Sequence, residues 1–365
     1  MKQLHVNLSG GRDYDIFIEN GLLGQSGEKI KEVYKGGRIA VITDSNVKPL
    51  YAQMVVRSLE KAGFLVKLID FPAGEPSKNL DTVVSLYDAL LNSEPFPMTR
   101  GDLIVALGGG VTGDMVGFVA ATLLRGIPFV QIPTTLLAQV DSSVGGKVAV
   151  DLKQGKNLAG VFYQPKLVLI DPETLSTLSD RVFFDGLSEV IKYGMIRDEK
   201  LFNLLESSSS REELLPYMEE IIRVCCDIKR IIVEQDEMDF GERMVLNFGH
   251  TLGHAFEKLG NYSTYMHGEA VACGMAAICE IGEQQGITPA GTAQRLKNML
   301  SAYGLPVKAE KVPQEMLIQT LAYDKKGSGS SITLVLCEQI GKAILHKTSK
   351  QTFAQWVQQQ MQKTI

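Results

Sequence analysis

The sequence predicts an α/β domain on a parallel sheet over residues 1–179, followed by a mainly α-helical domain over residues 180–365. In the first half, short β-branched runs alternate with helical stretches, the pattern of a doubly wound parallel sheet. From about residue 180 these give way to amphipathic helices. A chain of 365 residues also exceeds what one hydrophobic core usually organises.

Taken in order, RIAVITD (38–44), FLVKLIDF (64–71), DLIVALGGG (102–110), PFVQIPTT (128–135) and KLVLID (166–171) read as buried strands. VKPLYAQMVVRSLEKAG and LDTVVSLYDALLNSE, between the early strands, read as connecting helices. FDGLSEVIKYGMI, REELLPYMEEIIRVCCDIKRIIVEQ and GEAVACGMAAICEIGEQQG supply the helices of the second half. In SSSSREELL, Ser210 and Glu213 have the spacing of a capping box that starts a helix. Near the end SSITLVLCEQIGKAILH reads as a β-hairpin, with DKKGSGS before it as a loop.

Hydrophobic residues make up 45% of the chain and charged residues 22%, a globular composition. The net charge of −5 provides no general basic field, so nucleic acid is excluded and an anionic substrate must be held by local Lys and Arg. Cys225, Cys226, Cys273, Cys279 and Cys337 lie mostly in apolar patterns without CxxC spacing and read as reduced residues of a cytoplasmic protein. The first twenty residues carry no apolar signal-peptide core, and no apolar stretch is long enough to span a membrane.

LIVALGGGVTGDMVGF follows a strand, opens a helix and sets Gly108, Gly110 and Gly113 in G-x-G-x-x-G spacing. Such glycines let backbone N–H groups approach a pyrophosphate at a helix N-terminus. The dinucleotide fingerprint also requires an acidic residue about 20 positions on. PTTLL stands there instead, so a different nucleotide arrangement is expected, with Asp44 at the end of AVITD as a candidate ribose contact. The alternative is a tight turn with no ligand.

Three of the five histidines, His250, His254 and His267, fall within 18 residues. His250 and His254 share a helix face at i and i+4, which suits a metal or a substrate pocket. The first is not followed by Glu, so a zincin protease is disfavoured. A third ligand is needed, and Glu189 in GLSEVIKYG is a candidate, although periodicity alone leaves it open between ligand and structural residue. Lys147, Lys156, Asn157, Lys192, Lys229 and Arg243 lie beside glycines or in apolar context. Singly a surface lysine reads as a solvated charge; together the glycine-flanked lysines suggest pockets for phosphate and carboxylate.

From TDSN (43–46) through GEPSKN, GGGVTGD, RGIPFVQIPTTLLAQVDSSVGGK, GKNLAGVFYQP, GLSEVIKYG, LNFGHTLGHAFE and HGEAVACGM to DKK, the chain resembles the 3-dehydroquinate synthases, a family of sugar phosphate cyclases. The resemblance implies that family's fold, a Rossmann-like nucleotide domain beside a helical metal- and substrate-binding domain. It implies conversion of a heptulosonate phosphate to 3-dehydroquinate and phosphate in the shikimate pathway. It also implies an NAD cofactor that changes redox state and is restored within one turnover. It further implies zinc, with cobalt as an alternative ion, on Glu189, His250 and His267. Nucleotide contacts would come from Asp44, Asn46, Glu75, Lys78, Gly108, Gly109, Gly110, Asp114, Thr134, Thr135, Ser142, Thr174, Thr177 and Leu178, with Lys147 and Lys156 adjoining nucleotide and substrate alike. Lys147, Asn157, Asn247, His254 and one lysine of Lys325 and Lys326 would surround the phosphate. Lys229 and Arg243 would take the carboxylate, and Asp141 and Lys192 the hydroxyls. Arg125 corresponds to a residue that can reach in from a neighbouring subunit, which implies a homodimer.

One departure stands out: Asp239 occupies a position where the family usually has the longer Glu. The competing readings are a sister cyclase acting on another sugar phosphate, a metal-dependent polyol dehydrogenase and a non-catalytic nucleotide-binding paralogue. A site divided between two domains also raises the expectation of domain closure on ligand binding.

Overall fold

The computed structural model describes residues 1–310, 312–323 and 330–363; Lys325 and Lys326 lie outside the described residues. The strands are β1 Lys2–Val6, β2 Tyr14–Ile18, β3 Arg38–Asp44, β4 Leu65–Phe71, β5 Leu103–Gly108, β6 Phe129–Pro133, β7 Lys147–Leu152, β8 Gly155–Phe162, β9 Leu167–Ile170, β10 Ser331–Gln339 and β11 Lys342–Ser349. The helices are α1 Ser26–Val33, α2 Gln53–Lys61, α3 Leu80–Leu91, α4 Gly110–Thr122, α5 Asp180–Ile196, α6 Glu199–Glu206, α7 Arg211–Leu214, α8 Met218–Gln235, α9 His250–Leu259, α10 His267–Gln284, α11 Thr292–Ala302, α12 Gln314–Tyr323 and α13 Lys350–Lys363. They form two compact units, Met1–Ser179 with Met218–Met238, and Asp180–Tyr217 with Asp239–Ile365.

In the first unit a seven-stranded sheet runs in the order β1-β2-β9-β6-β5-β3-β4, parallel throughout except for the β1–β2 pair. Its central strands are buried along their whole length, because parallel strands with crossover helices are covered on both faces. The alternation of side chains sorts them: Ile39, Val41, Val105 and Leu107 pack with α1 and α2, while Ala40, Ile42, Ile104 and Ala106 pack with α3 and α4. β7 and β8 form a separate antiparallel hairpin.

β1, β2 and this hairpin are not among the strands expected from the sequence, which sets α8 among the helices of residues 180–365. The structure places α8 in the first unit. Asn7 N–H donates to Glu234 at 2.7 Å, Asn20 N–H donates to Glu219 at 3.1 Å, and Cys226 Sγ donates to the Gln139 carbonyl at 3.2 Å.

In the second unit α10 packs against both α5 and α9. The capping contact anticipated at Ser210 forms, its hydroxyl accepting from Glu213 N–H at 3.3 Å while the Glu213 carboxylate accepts from Ser209 N–H at 2.7 Å. β10 and β11 make the expected hairpin. Among the described residues no helix is long and apolar enough to cross a membrane.

Candidate active site

In the first unit the strand-to-helix turn after β5 is built on close approach. A Cβ on Gly108 would lie 2.4 Å from Thr112 Oγ1, one on Gly109 would lie 3.0 Å from Thr135 Cγ2, and one on Gly110 would lie 3.2 Å from Ser142 Oγ. Four segments expected to contact a nucleotide therefore meet: the glycine loop, Thr135, Ser142 and, through Thr112, Asp44. Thr112 Oγ1 donates to Asp44 Oδ2 at 3.1 Å, and Asp44 Oδ1 accepts from the N–H groups of Asn46 and Val47. The N-terminus of α4 opens at Gly110, so its unpaired N–H groups and the helix dipole favour a phosphate there.

Charged groups around the loop come in pairs. Lys78, buried, donates to Asp114 and to the Asn157 side-chain oxygen, each at 2.6 Å. Burial opposes its charge, but the Asp114 carboxylate outweighs that and holds its pKa above the ordinary lysine value. Lys156 lies 3.2 Å from Glu75. Lys229, carried by α8, is bonded to Asp141 in a π-helical turn, Ala138–Ser142. The structure thus brings together two residues the sequence treated separately, one for the substrate carboxylate and one for a hydroxyl.

Lys147, Asn46 and Arg125 are exposed, Arg125 on left-handed backbone with φ 67°. Thr134 and Thr174 are buried, and Leu178 is half-buried. The Thr174 hydroxyl is committed internally, donating to the Asp171 carbonyl at 2.8 Å and accepting from Gln139 Nε2 at 2.9 Å. Thr177 Oγ1 lies 2.5 Å from the Tyr51 hydroxyl. Gln139 escaped the sequence reading. Fully buried, it also donates to the Pro133 and Asp171 carbonyls, tying β6, the π turn and the Pro172–Thr177 turn together.

In the second unit Glu189, on α5, is fully buried. Its Oε1 lies 3.3 Å from Nε2 of His250, the first residue of α9, and 3.3 Å from Nε2 of His267, the first residue of α10. Donor atoms around a tetrahedral zinc with bonds of about 2.0–2.1 Å lie about 3.3 Å apart. The far ring nitrogen of His250, Nδ1, faces the Phe248 carbonyl at 3.1 Å, which places the proton there and leaves Nε2 as a lone-pair donor. Behind His267, Nδ1 lies 3.7 Å from the Glu257 carboxylate. A carboxylate and two imidazoles on three helices fit a divalent ion with open positions.

Burial alone would raise the Glu189 carboxyl, but the Lys192 ammonium one helical turn away and the two imidazoles reverse this and hold it well below the usual range. Partial burial opposes charge on His267; Glu189 and Glu257 outweigh that and push it up to about 10. His254 is exposed, its ring centroid 5.4 Å from that of His250. Arg243, buried, and Asn247, exposed, lie on the turn Glu242–Asn247 leading to α9, and Asp239 precedes it on left-handed backbone with φ 63°. Asp185 and Glu257 escaped the sequence reading because, as acids on amphipathic helices, they carry no mark separating them from solvated charges.

A family model described as 3-dehydroquinate synthase N-terminal matches residues 68–185, and one described as 3-dehydroquinate synthase C-terminal matches residues 186–327. The chain is 49% identical over 353 residues to a 3-dehydroquinate synthase of Clostridium botulinum, covering 97% of this chain and 100% of the relative. The chain belongs to the 3-dehydroquinate synthase family.

Two solved structures of similar fold are a 2-epi-5-epi-valiolone synthase from Streptomyces hygroscopicus subsp. jinggangensis 5008 with NAD+ and Zn2+ bound, and a 2-deoxy-scyllo-inosose synthase complexed with carbaglucose-6-phosphate, NAD+ and Co2+. The first is 25% identical with a TM-score of 0.84, covering 96% of this chain and 97% of the other. The second is 24% identical with a TM-score of 0.84, covering 98% of this chain and 100% of the other. They bear out the expected architecture of a parallel-sheet nucleotide-type domain joined to a helical one.

Proposed function

We propose that the chain is a carbon–oxygen lyase converting 3-deoxy-D-arabino-heptulosonate 7-phosphate to 3-dehydroquinate and phosphate. It uses NAD at the glycine loop and zinc at Glu189, His250 and His267. The observation that carries this reading is the convergence of those donor atoms, each imidazole nitrogen 3.3 Å from the Glu189 carboxylate, in a chain of this family. When bound, the metal supplies Lewis-acid polarisation of the substrate hydroxyl, and NAD supplies reversible hydride transfer that makes the neighbouring C–H acidic.

The chain's own residues bind, orient and move protons. Lys192 beside Glu189 and Asp141 beside Lys229 address hydroxyls of the substrate ring. Lys229 and Arg243 take its carboxylate, where a lysine and an arginine together neutralise and orient the charge. Lys147, Asn157, Asn247 and His254 surround the phosphate, with His254 placed to hold or release a proton at its imidazole as the phosphate departs. Lys156 lies between nucleotide and substrate. The paired lysines of the first unit are reserved for anions: an incoming phosphate or carboxylate takes over the cation its carboxylate partner held. Arg125, exposed, is available to a second copy of the chain, and a cytoplasmic homodimer completes the reading.

The test is to incubate metal-stripped protein with the heptulosonate phosphate, NAD and zinc, following phosphate release and identifying the product by NMR. Zinc-dependent release with dehydroquinate formed and no net NADH is expected. Absence of turnover in folded, zinc-loaded protein would move the assignment to a sister cyclase, tested with sedoheptulose 7-phosphate and glucose 6-phosphate; net NADH would point to a polyol dehydrogenase.

A further inference from the structure

The helix that carries Glu189 also carries the means of placing His267. Along α5, Arg181, Asp185 and Glu189 recur at four-residue intervals and share one face. Each of them reaches the first turn of α10. The Arg181 guanidinium donates to the two oxygens of Glu269 at 2.7 and 2.9 Å. Asp185 Oδ1 accepts from the backbone N–H of Gly268 at 2.7 Å and of Glu269 at 3.2 Å. Glu189 Oε1 lies 3.3 Å from His267 Nε2. The packing between these rungs leaves no slack, since a Cβ on Gly268 would lie 1.9 Å from the Asp185 carbonyl oxygen and 2.5 Å from Ser188 Oγ.

We propose that Asp185 is a positioning residue of the metal site. By clamping the backbone just after His267 to the helix face that bears Glu189, it sets the separation of these two ligands. The N–H groups it accepts from belong to the first turn of α10, where a helix relies on acceptors such as a capping side chain, and the clamp acts as such a cap. The Arg181–Glu269 rung lies toward solvent, with the Arg181 side chain 63% exposed, and contributes less. Asp185 is buried and holds the backbone directly. A binding constellation held on helices needs its geometry kept within about 0.5 Å, and a clamp one residue from a ligand provides that.

Asp185→Ala is expected to release zinc to a chelator about 10–100-fold faster than the wild type, and its cobalt-substituted form to show an altered visible spectrum. Asp185→Asn keeps an oxygen for both N–H groups without the charge, so it should stay within about threefold of the wild type and keep the spectrum. Release from Asp185→Ala at the wild-type rate would overturn the proposal. So would an Asn variant as leaky as the Ala variant, because charge rather than position would then be at work.

If the Ala variant does not fold, Asp185→Glu replaces it. Its extra methylene pushes the first turn of α10 away, with faster release expected and unchanged release overturning the clamp. The inference rests on the metal reading, and the outcomes separate the two. Wild-type protein that takes up no zinc removes that reading and the clamp with it, whereas wild-type protein that holds zinc beside an indifferent Asp185→Ala removes the clamp alone.

Discussion

The glycine-loop region of the first unit and the histidine cluster of the second handle charge in opposite ways. Around the loop, Lys78, Lys156 and Lys229 each face a carboxylate, from Asp114, Glu75 and Asp141. In the cluster one buried carboxylate, Glu189, faces Lys192, His250 and His267 together, and a second, Glu257, stands behind His267. On the proposed reading, a ligand anion entering the first region would compete with a carboxylate for each lysine, which makes its pairs exchangeable. A metal entering the second competes with protons on nitrogen atoms whose positions three packed helices set. Exchangeable pairs suit a ligand that binds and leaves, and a fixed cage suits an ion that stays.

The contrast breaks most visibly at Glu189. Glu189→Ala should abolish zinc retention and lower phosphate release by about 10³-fold or more, since several kcal/mol of charge stabilisation go with the metal. Metal analysis of the purified variant, with circular dichroism as a check on folding, decides it; normal zinc content would take Glu189 out of the ligand set.

Next in size is the pair on the other side of the comparison. Lys78→Met strands the Asp114 carboxylate and should cost about 3 kcal/mol in urea unfolding. Adding Asp114→Asn should recover most of that loss, with zinc content unchanged in both variants. A double variant no more stable than the single one would show that the two groups are not coupled.

Gly108→Ala sharpens the contrast further. The new Cβ meets Thr112, whose hydroxyl holds Asp44, so NAD affinity measured by calorimetry should fall about tenfold while zinc binding stays the same. Equal affinity for NAD would mean that the close approach does not shape the nucleotide site.

The smallest effect is a proton count. In metal-free protein Glu189 and Glu257 hold His267 at about 10, above the usual imidazole value of 6.5. A folded pKa raised in this way contributes stability that is fully present below pH 6.5 and is lost as pH rises through 10. Zinc takes the place of that proton, so uptake at pH 7 should release about one proton, read from calorimetry in buffers of different ionisation enthalpy. The metal-loaded protein should lack the alkaline loss of stability. Zinc uptake without proton release would mean that His267 is already neutral in the metal-free protein.

Legibility followed the kind of burial each segment has. β3, β5, β6 and β9 stood out because strands covered on both faces are continuous apolar runs. β1 went unread because its pattern, KQLHV, is half-exposed, and β7–β8 because its glycine and lysine content imitates a loop. The amphipathic stripe of α8 announced a helix with one buried face but not which unit would cover it. Among the site residues, the clustered histidines and the glycine loop were legible from local spacing, and Glu189 was settled as an expectation only by the family resemblance. The pairing of Lys78 with Asn157 and of Lys229 with Asp141 was not legible, because their separations of 79 and 88 residues carry no local periodicity.

Residue identity and short-range spacing were enough for strands β3, β4, β5, β6 and β9 of the parallel sheet, for the donor types available, and for the family to which the chain belongs. Tertiary structure alone decided that His267 and Glu189, 78 residues apart, meet at 3.3 Å, that α8 packs with the first unit, and that Asp185 holds the first turn of α10. The physical reason is common to all three: periodicity specifies the face a helix buries, while the partner of that face, and the distance to it, comes from packing.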